Sequence, residues 1–374
     1  MSNETKMNRI KKTVKINIIA VSTLIILPAL VYGTFKRTVK SDDKRAALPP
    51  LASNNASKTV LDEYRKLPLA FWSFSGWRRK NIKHKYTQID GEYNTRKSSN
   101  DSVAREKVGF FGGSTIWGVG VSDDETIPSY YHHLNKESSV VNYGESGWNT
   151  RQSLNLLLDI IGDENKLDTV IFYDGINDVL GQCRGEIKRI PAHSKETRFD
   201  IKLNSSFKRI LFDKLTKLTL APYETLITSN QAKSIDKLYD CDNNEKKANK
   251  IADHLLNNWF TVYLTLNSRR IDSYFILQPH AHATKSNTAY LDLNSDIEKE
   301  IKKQLDVVYP KIRTKISEKC DIDPTFCKKI IDGSSWLDVN ESIYIDNSHI
   351  NARGNKIIAS KITEFTNERK ANSK

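Results

Sequence analysis

Cysteine is scarce in this chain, and its placement argues against a common class of metal site. The four cysteines, Cys183, Cys241, Cys320 and Cys327, include no C-x-x-C pair. A zinc ribbon needs closely spaced cysteine pairs and is therefore disfavoured. Four cysteines fit two disulfides in an oxidising compartment. Of the three pairings, we favour Cys183 with Cys241 and Cys320 with Cys327; four free thiols are the alternative.

Signatures of nucleic-acid binding are also absent, although the net charge is +13. No helix-turn-helix, zinc-finger or RNA-binding aromatic motif is present. Residues 1–46 contain ten Lys or Arg and three acidic residues, a net charge of +7, so the remaining 328 residues carry only +6. The positive charge therefore concentrates around an apolar segment, as expected beside anionic lipid headgroups.

That apolar segment, residues 16–35, contains no charged residue. A helix of this length spans about 30 Å, the thickness of a hydrocarbon core. We expect one N-terminal transmembrane helix, preceded by a basic cytoplasmic tail at 1–15. A cleaved signal peptide is the alternative, but the run is longer than a usual h-region and no clear A-x-A site follows. Five Lys or Arg lie on each side, so the positive-inside rule leaves the orientation open.

The rest of the chain divides into a tether and one domain. Residues 36–60 are polar, with Pro49-Pro50 and the stretch SNNAS, which indicates a tether. Residues 61–370 are predicted to form one domain, with an irregular lead-in over 61–100. Residues 182–250 lack a strand pattern and are expected to be an insertion at the carboxyl edge of the sheet, where α/β enzymes keep specificity elements.

From Lys107 onward, short apolar runs alternate with segments of helical periodicity. This alternation indicates a parallel sheet covered on both faces by helices. Strands are predicted at 107–111, 138–143, 168–174 and 273–278, and helices at 126–135, 150–161, 250–268 and 351–369.

Four short polar motifs stand beside these elements. Three follow predicted strands and one precedes the last helix: GGST (112–115), YGESGWNT (143–150), DGIND (174–178) and DNSH (346–349). Each has a structural explanation by itself, since glycines make turns and Asn or Asp caps helices. The phosphate-binding patterns G-x-x-x-x-G-K-[ST] and G-x-G-x-x-G are absent at the first turn, and no G-x-S-x-G lies near Ser114.

Together and in this order, the motifs resemble the signature blocks of the SGNH (GDSL-type) hydrolase family. The resemblance covers roughly residues 105–180 and 270–365. It implies a three-layer α/β/α sandwich with a flavodoxin-like parallel sheet. Ser114 matches the nucleophile, in a GGST form where many members have GDS, and this departure bears on the substrate more than on the serine.

The same resemblance assigns the other site residues. Asp346 and His349 match the D-x-x-H pair, so His349 would take the serine proton and Asp346 would orient the imidazole. The N–H groups of Ser114 and Gly147 and the side-chain amide of Asn177 would form the oxyanion hole. The resemblance implies no metal and no cofactor.

Other chemically able residues have simpler explanations. His132 and His133 lie within a predicted helix, without a Cys or carboxylate at ligand spacing. His280 and His282 follow the fourth strand, at the edge where the site is expected, yet loop histidines without a role are commoner. Asp178 is expected to support its loop rather than react.

The wider pattern, including GVGV, DETIP, LQP and YIDNSHINARGNKIIA, resembles SGNH proteins found with bacterial surface-polysaccharide machinery. It implies a serine esterase that acts on acyl esters of a cell-envelope carbohydrate through an acyl-serine intermediate, with O-acetyl the favoured ester. The implied location is the inner membrane, with the catalytic domain in the periplasm or outside. The implied partners are the glycan, the membrane and a membrane-embedded acyl-donor protein, without nucleic acid. An O-acyltransferase and a non-catalytic glycan-binding or assembly protein are the alternatives.

Overall fold

A computed structural model of the chain describes residues 43–371, apart from 101–103, 164–165, 194–195 and 198–237, together with five single positions before residue 43. The described residues from 43 onward belong to one compact unit. Among the described residues, no helix is both long enough and apolar enough to cross a membrane. The predicted anchor at 16–35 lies outside them, apart from two of the single positions.

The strands lie in a two-stranded hairpin and an eight-stranded sheet. In chain order, the strands of the described residues are β1 (Leu69–Trp72), β2 (Gly76–Arg79), β3 (Ile82–Lys83), β4 (Gln88–Asp90), β5 (Thr95–Arg96), β6 (Glu106–Gly112), β7 (Ser138–Asn142), β8 (Thr169–Asp174), β9 (Asp272–Leu277) and β10 (Ile330–Asp332). Strands β1 and β2 form the antiparallel hairpin. The large sheet has the order β10-β9-β8-β6-β7-β5-β4-β3.

The large sheet is mixed, which corrects the prediction of a parallel sheet. Its five strands from β10 to β7 are parallel, and their order is that of a flavodoxin-like sheet. Strands β5, β4 and β3 extend the β7 edge in antiparallel fashion. Each has only two or three residues, too few for the alternation that marks a strand in sequence. These three strands of the lead-in therefore gave no strand signal.

Helices alternate with the parallel strands. The α-helices of the described residues are α1 (Pro49–Ala52), α2 (Ser57–Lys66), α3 (Ser114–Trp117), α4 (Ile127–Leu134), α5 (Thr150–Gly162), α6 (Ile176–Gln182), α7 (Glu245–Asn267), α8 (Asp296–Ile322), α9 (Pro324–Cys327) and α10 (Ala352–Ala371). Helices α5, α7 and α8 contribute to one apolar cluster with Phe111 and Phe172 of the sheet. Helices α4 and α10 contribute to a second cluster with Phe110 and Ile171.

These two clusters lie on opposite faces of the sheet, because adjacent residues of a strand point to opposite sides. Phe110 and Phe111 are both fully buried, so β6 is covered on both faces. The three-layer α/β/α arrangement predicted from the sequence is therefore present. The carboxyl ends of its central strands remain the place where loops can build a site.

The structure differs from the predicted tether over residues 43–60. This stretch forms a short 3-10 helix, Lys44–Ala47, followed by α1 and the start of α2. Leu51 and Leu61 pack in a buried apolar cluster with Ile345. The Asn351 side chain also donates to the Pro50 carbonyl at 3.2 Å. Residues 43–66 are thus part of the folded unit, beside the DNSH motif.

Two disulfides join the cysteines in the predicted pairing, Cys183 with Cys241 and Cys320 with Cys327. Cys183 follows α6 and Cys241 precedes α7, so this bond closes the base of the segment between the two helices. The predicted insertion at 182–250 extends too far, since α7 begins at Glu245 and its Ala248 is buried in the core.

Candidate active site

Three loops meet at the carboxyl edge of the sheet, because β7, β6 and β8 are neighbouring parallel strands. Ser114 follows β6, Gly147 follows β7 and Asn177 follows β8. Adjacent parallel strands end at the same edge, so the sheet brings these three positions close together although the chain separates them.

A continuous run of hydrogen bonds joins Ser114, His349 and Asp346. The Ser114 Oγ atom lies 2.7 Å from His349 Nε2, and His349 Nδ1 lies 2.7 Å from Asp346 Oδ2 and 2.9 Å from Oδ1. Because Nδ1 faces a carboxylate, it carries the ring proton and leaves Nε2 as the acceptor for the serine hydroxyl. The structure thus brings together all three residues of the predicted triad.

The DNSH loop is folded around its own aspartate. Asp346 Oδ1 accepts hydrogen bonds from the Ser348 and His349 N–H groups at 3.0 and 2.8 Å. The Ile345 N–H donates to the His349 carbonyl at 2.9 Å, which closes the turn. The Asp346 carboxylate therefore both holds the loop backbone and faces the imidazole. The three-residue spacing between Asp346 and His349 thus sets the orientation of the ring toward Ser114.

The electrostatics keep this carboxylate ionised. Burial by itself raises the pKa of Asp346, but the adjacent His349 imidazole and hydrogen bonds from the His349 and Ser348 N–H groups outweigh it. The net effect lowers the pKa of Asp346 far below its ordinary value. An ionised aspartate can stabilise the imidazolium that forms when His349 takes the serine proton.

Gly113 explains why the serine motif reads GGST. A Cβ atom at this position would collide with Asn177 Nδ2 and lie 3.5 Å from the Trp148 carbonyl oxygen. The Asn177 amide therefore packs directly against the backbone that precedes Ser114. Position 113 therefore has no room for a side chain unless the Asn177 amide moves.

Asn177 also contacts the loop that contains Gly147. Its Nδ2 donates to the Trp148 carbonyl at 2.8 Å, which leaves the second amide hydrogen for another acceptor. Gly147 is exposed and has a φ of +80°, a conformation that favours glycine. The structure thus places Asn177 between the Ser114 and Gly147 loops, and Ser114 N–H, at the start of α3, has no partner within its helix.

Two buried aspartates, Asp174 and Asp178, lie close to Asn177 in the chain. Asp178 accepts hydrogen bonds from the Thr150 N–H at 3.1 Å and from its hydroxyl, so it fixes the start of α5 beside the Gly147 loop. Asp174 accepts from Trp259 Nε1 at 3.0 Å. Burial raises the pKa of Asp178 to about 6 and that of Asp174 well above its usual range. Asp178 supports its loop, as the sequence analysis expected.

Arg45 contacts the triad carboxylate, and sequence reasoning missed it. Its Nη1 donates to Asp346 Oδ2 at 2.9 Å. Its Nε and Nη2 donate to Asp43 at 3.1 and 2.9 Å. Arg45 lies in the stretch predicted to be a tether, where one arginine among several cations carries no local signal of this contact.

Two of the other histidines of the sequence analysis, His132 and His282, have hydrogen-bond partners. His132 Nδ1 lies 2.7 Å from the Ser138 carbonyl. His282 Nε2 lies 2.9 Å from Glu298, which also accepts from the Asn347 side chain at 3.0 Å, so His282 braces the DNSH loop indirectly. His280 is buried, and burial lowers its pKa to about 4. Within the described residues, no cluster of His, Cys, Asp or Glu could hold a metal ion.

This arrangement contains what acyl transfer through a serine requires. It has a hydroxyl in contact with a base, a carboxylate that orients the base, and an amide donor packed against the residue that precedes the serine. Ser114, Asn177 and His349 are only partly buried, so a substrate can reach the hydroxyl from solvent.

Comparisons with known proteins find similarity in structure. No family model matches the sequence, and no curated protein matches it. A G-D-S-L family lipolytic protein from Desulfitobacterium hafniense matches with a TM-score of 0.39 and 11% identity over 70% of this chain and 99% of that one. A carbohydrate acetylesterase family member from Sinorhizobium meliloti matches with a TM-score of 0.35 and 14% identity, over 71% of this chain and 98% of that one. The acetyl xylan esterase AlAXEase matches with a TM-score of 0.36 and 13% identity, over 69% of this chain and 98% of that one. The chain is thus similar to solved structures of the G-D-S-L family and of esterases.

Proposed function

We propose that this chain is an SGNH-type serine esterase that works through an acyl-serine intermediate. The observation that carries the proposal is the hydrogen-bonded run from Ser114 through His349 to Asp346, at the edge of the sheet where Asn177 also lies. A serine hydroxyl is a weak nucleophile by itself, and this contact supplies the base that it needs.

Acylation begins when Ser114 Oγ attacks the ester carbonyl. The hydroxyl proton passes to His349 Nε2, 2.7 Å away, and Asp346 stabilises the imidazolium. The carbonyl oxygen becomes negative in the tetrahedral intermediate, and the Ser114 and Gly147 N–H groups and the Asn177 amide would donate to it. The intermediate collapses when the C–O bond of the alcohol breaks, and His349 returns the proton to that alcohol.

Deacylation repeats these steps with a new nucleophile. Water, activated by His349, attacks the acyl-serine and releases the free acid and Ser114. If a sugar hydroxyl attacks instead, the acyl group is transferred and no free acid forms. The same residues serve both outcomes, because only the incoming oxygen differs.

A fluorophosphonate probe tests the nucleophile. We expect covalent labelling of the folded wild type and none of Ser114→Ala. Hydrolysis of p-nitrophenyl acetate should fall in parallel, by roughly 10⁴-fold or more, because the covalent route is lost. Ser146→Ala is the control, since Ser146 lies in the neighbouring GES stretch, where its hydroxyl accepts a hydrogen bond from Tyr64 at 3.2 Å. Full esterase activity in Ser114→Ala would contradict the proposal.

For the substrate, we propose an O-acetyl or similar acyl ester on a cell-envelope carbohydrate. The support is the likeness of the wider sequence pattern to SGNH proteins of surface-polysaccharide machinery, together with the open position of Ser114. Incubation with acetylated envelope glycans should release acetate in a Ser114-dependent manner. If only small aryl esters are cleaved, this substrate assignment is wrong while the esterase assignment stands.

We further propose that the domain is held outside the bacterial inner membrane by residues 16–35. Support comes from the uncharged length of that segment and from two disulfides, which persist in oxidising compartments. The full chain should fractionate with membranes and be accessible to protease only from the periplasmic side.

An O-acyltransferase is the second candidate, because an anchor would keep the site beside a membrane-embedded acyl-donor protein. Mixing the full chain with an acyl donor and a glycan acceptor distinguishes the two reactions. An esterase releases free acid, and a transferase yields acylated glycan. A glycan-binding protein without turnover would give neither product.

A further inference from the structure

The triad carboxylate has a second basic partner besides the histidine. Asp346 Oδ2 lies 2.7 Å from His349 Nδ1 and accepts from Arg45 Nη1 at 2.9 Å. We propose that Arg45 is a positioning residue of the triad, which holds Asp346 against His349 and sets the acid limb of the esterase pH profile. This inference rests on the proposed esterase function.

Arg45 is itself held in place. Asp43 accepts two hydrogen bonds from its guanidinium and a third, at 3.1 Å, from its backbone N–H. The hydrogen bond from Arg45 lowers the pKa of Asp43. Burial alone would lower the pKa of Arg45, but Asp43 and Asp346 raise it above its ordinary value. The guanidinium is therefore charged and clamped between two carboxylates.

The backbone around Arg45 is fixed on the same side of the molecule. Leu51, six residues later, is buried with Ile345, the residue immediately before Asp346. The Pro50 carbonyl accepts from Asn351, just after the DNSH motif. The segment that carries Arg45 and the loop that carries Asp346 thus pack against each other, as a positioning role requires.

The sign of the effect follows from charge. A guanidinium on Asp346 offsets part of the negative charge that favours the imidazolium form of His349. Loss of Arg45 should therefore favour the imidazolium, so that activity appears only at higher pH. Arg45 and the His349 imidazole both contact Asp346 Oδ2, so the two cationic groups lie about 6 Å apart. At that separation and an effective dielectric constant of roughly 40–80, the acid limb should shift by about 0.5–1 pH unit.

Other charged groups near the loop do not cancel this effect. The Asp43 carboxylate has the opposite charge to Arg45, and it is present in both the wild type and an Arg45 variant. On the other side, Glu298 of α8 and His282 of the loop after β9 reach the DNSH loop through Asn347. Glu298 is hydrogen-bonded to both His282 and Asn347, and the three residues lie outside the Arg45 contacts. They therefore form a constant background for wild type and variant.

The test is the pH profile of kcat/KM for p-nitrophenyl acetate, measured on the full chain in detergent from about pH 4.5 to about pH 9. We expect Arg45→Gln to move the acid limb upward by about 0.5–1 pH unit and to lower the plateau roughly fivefold. Lys44→Gln is the matched control, because it removes the same charge from an exposed neighbour, and its profile should equal the wild type.

Arg45→Lys separates charge from geometry. It keeps the charge but loses the planar fork that reaches Asp43 and Asp346 together, so its acid limb should lie nearer the wild type than that of Arg45→Gln. The Arg45→Gln shift should also shrink in about 1 M salt, where screening is strong. Thermal unfolding of each variant shows that the compared proteins are folded.

Two results would overturn the proposal. One is a folded Arg45→Gln protein with the wild-type profile, and the other is a uniform loss of activity with an unmoved acid limb, which indicates a structural role only. Failure of the esterase function is seen separately, as wild-type turnover in Ser114→Ala.

Discussion

Replacing Gly113 with alanine tests how closely the Asn177 amide is fitted to the nucleophile loop. The backbone tolerates the change, since Gly113 has φ −84° and ψ −154°, in the extended region. The added methyl group, however, would occupy the space of Asn177 Nδ2. The amide must move from its place beside Gly113, so Gly113→Ala should weaken the oxyanion donor without touching the triad.

The magnitude follows from the value of that donor. Removal of one oxyanion-hole donor costs about 10²–10³ in kcat, which we expect for Asn177→Ala. Gly113→Ala should lose about 10–10², since a displaced amide still donates at poorer geometry. In the double variant the methyl group meets no amide, so kcat should match Asn177→Ala alone rather than the product of the two losses.

The assay is kcat for p-nitrophenyl acetate in the two single variants and the double variant, with the rate of fluorophosphonate labelling as a second measurement. Gly162→Ala is a control, because a Cβ there has no neighbour within 4 Å. Losses that multiply in the double variant would show that Gly113 and Asn177 act independently. A wild-type rate in Gly113→Ala would refute the assigned place of the amide.

Three further variants address the triad, the buried support and a disulfide. Asp346→Asn should lower kcat by about 10³–10⁴ because the imidazole loses its anionic partner; a loss below tenfold would contradict the role of Asp346. Because folding raises the pKa of Asp178 to about 6, wild-type stability should fall by about 2–3 kcal/mol between about pH 4 and pH 7 through this group, and Asp178→Asn should remove this part of the pH dependence in thermal unfolding while the part from Asp174 remains. Replacing both Cys183 and Cys241, 58 residues apart, with serine should cost about 4 kcal/mol in denaturant unfolding, and an unchanged midpoint would show that the bond does not restrain the unfolded chain.

Much of the fold could be predicted because its elements carry local signals. The helix predicted at 150–161 is Thr150–Gly162 in the structure, and Asn149 caps it through the Gln152 N–H. The helix predicted at 126–135 is α4 in the structure, and Thr126 caps it by accepting from the Ser129 N–H. Continuous apolar runs marked the parallel strands, since both faces of those strands are buried.

The site was harder to predict, because it depends on contacts across the chain. Ser114 and His349 are 235 residues apart, and no local pattern shows that they meet. The order of the motifs, each at the end of a strand, supplied the expectation, since parallel neighbours end at one edge. The exclusion of a side chain at position 113 could not be read from sequence, because it depends on where the Asn177 amide lies.

The antiparallel edge strands illustrate a different limit. Strands β3 to β5 bury few side chains, and pairing with a neighbour defines them more than their own composition does. Their role becomes clear only from the three-dimensional structure. Arg96 of β5 is buried and donates to the Trp117 and Val121 carbonyls at 2.8 and 2.7 Å. It thereby fixes the chain that follows α3, the helix that begins with Ser114.

The stretch around Arg45 shows why composition alone misassigned a segment. Prolines and small polar residues mark loops and tethers because such residues contribute little apolar area to a core. Here only Leu51 and a few neighbours are buried, yet that contact is enough to bring Arg45 to the triad carboxylate. A single long-range ion pair leaves no periodicity and no motif in the sequence. The residue that distinguishes this site from a bare triad is therefore one that only the three-dimensional arrangement reveals.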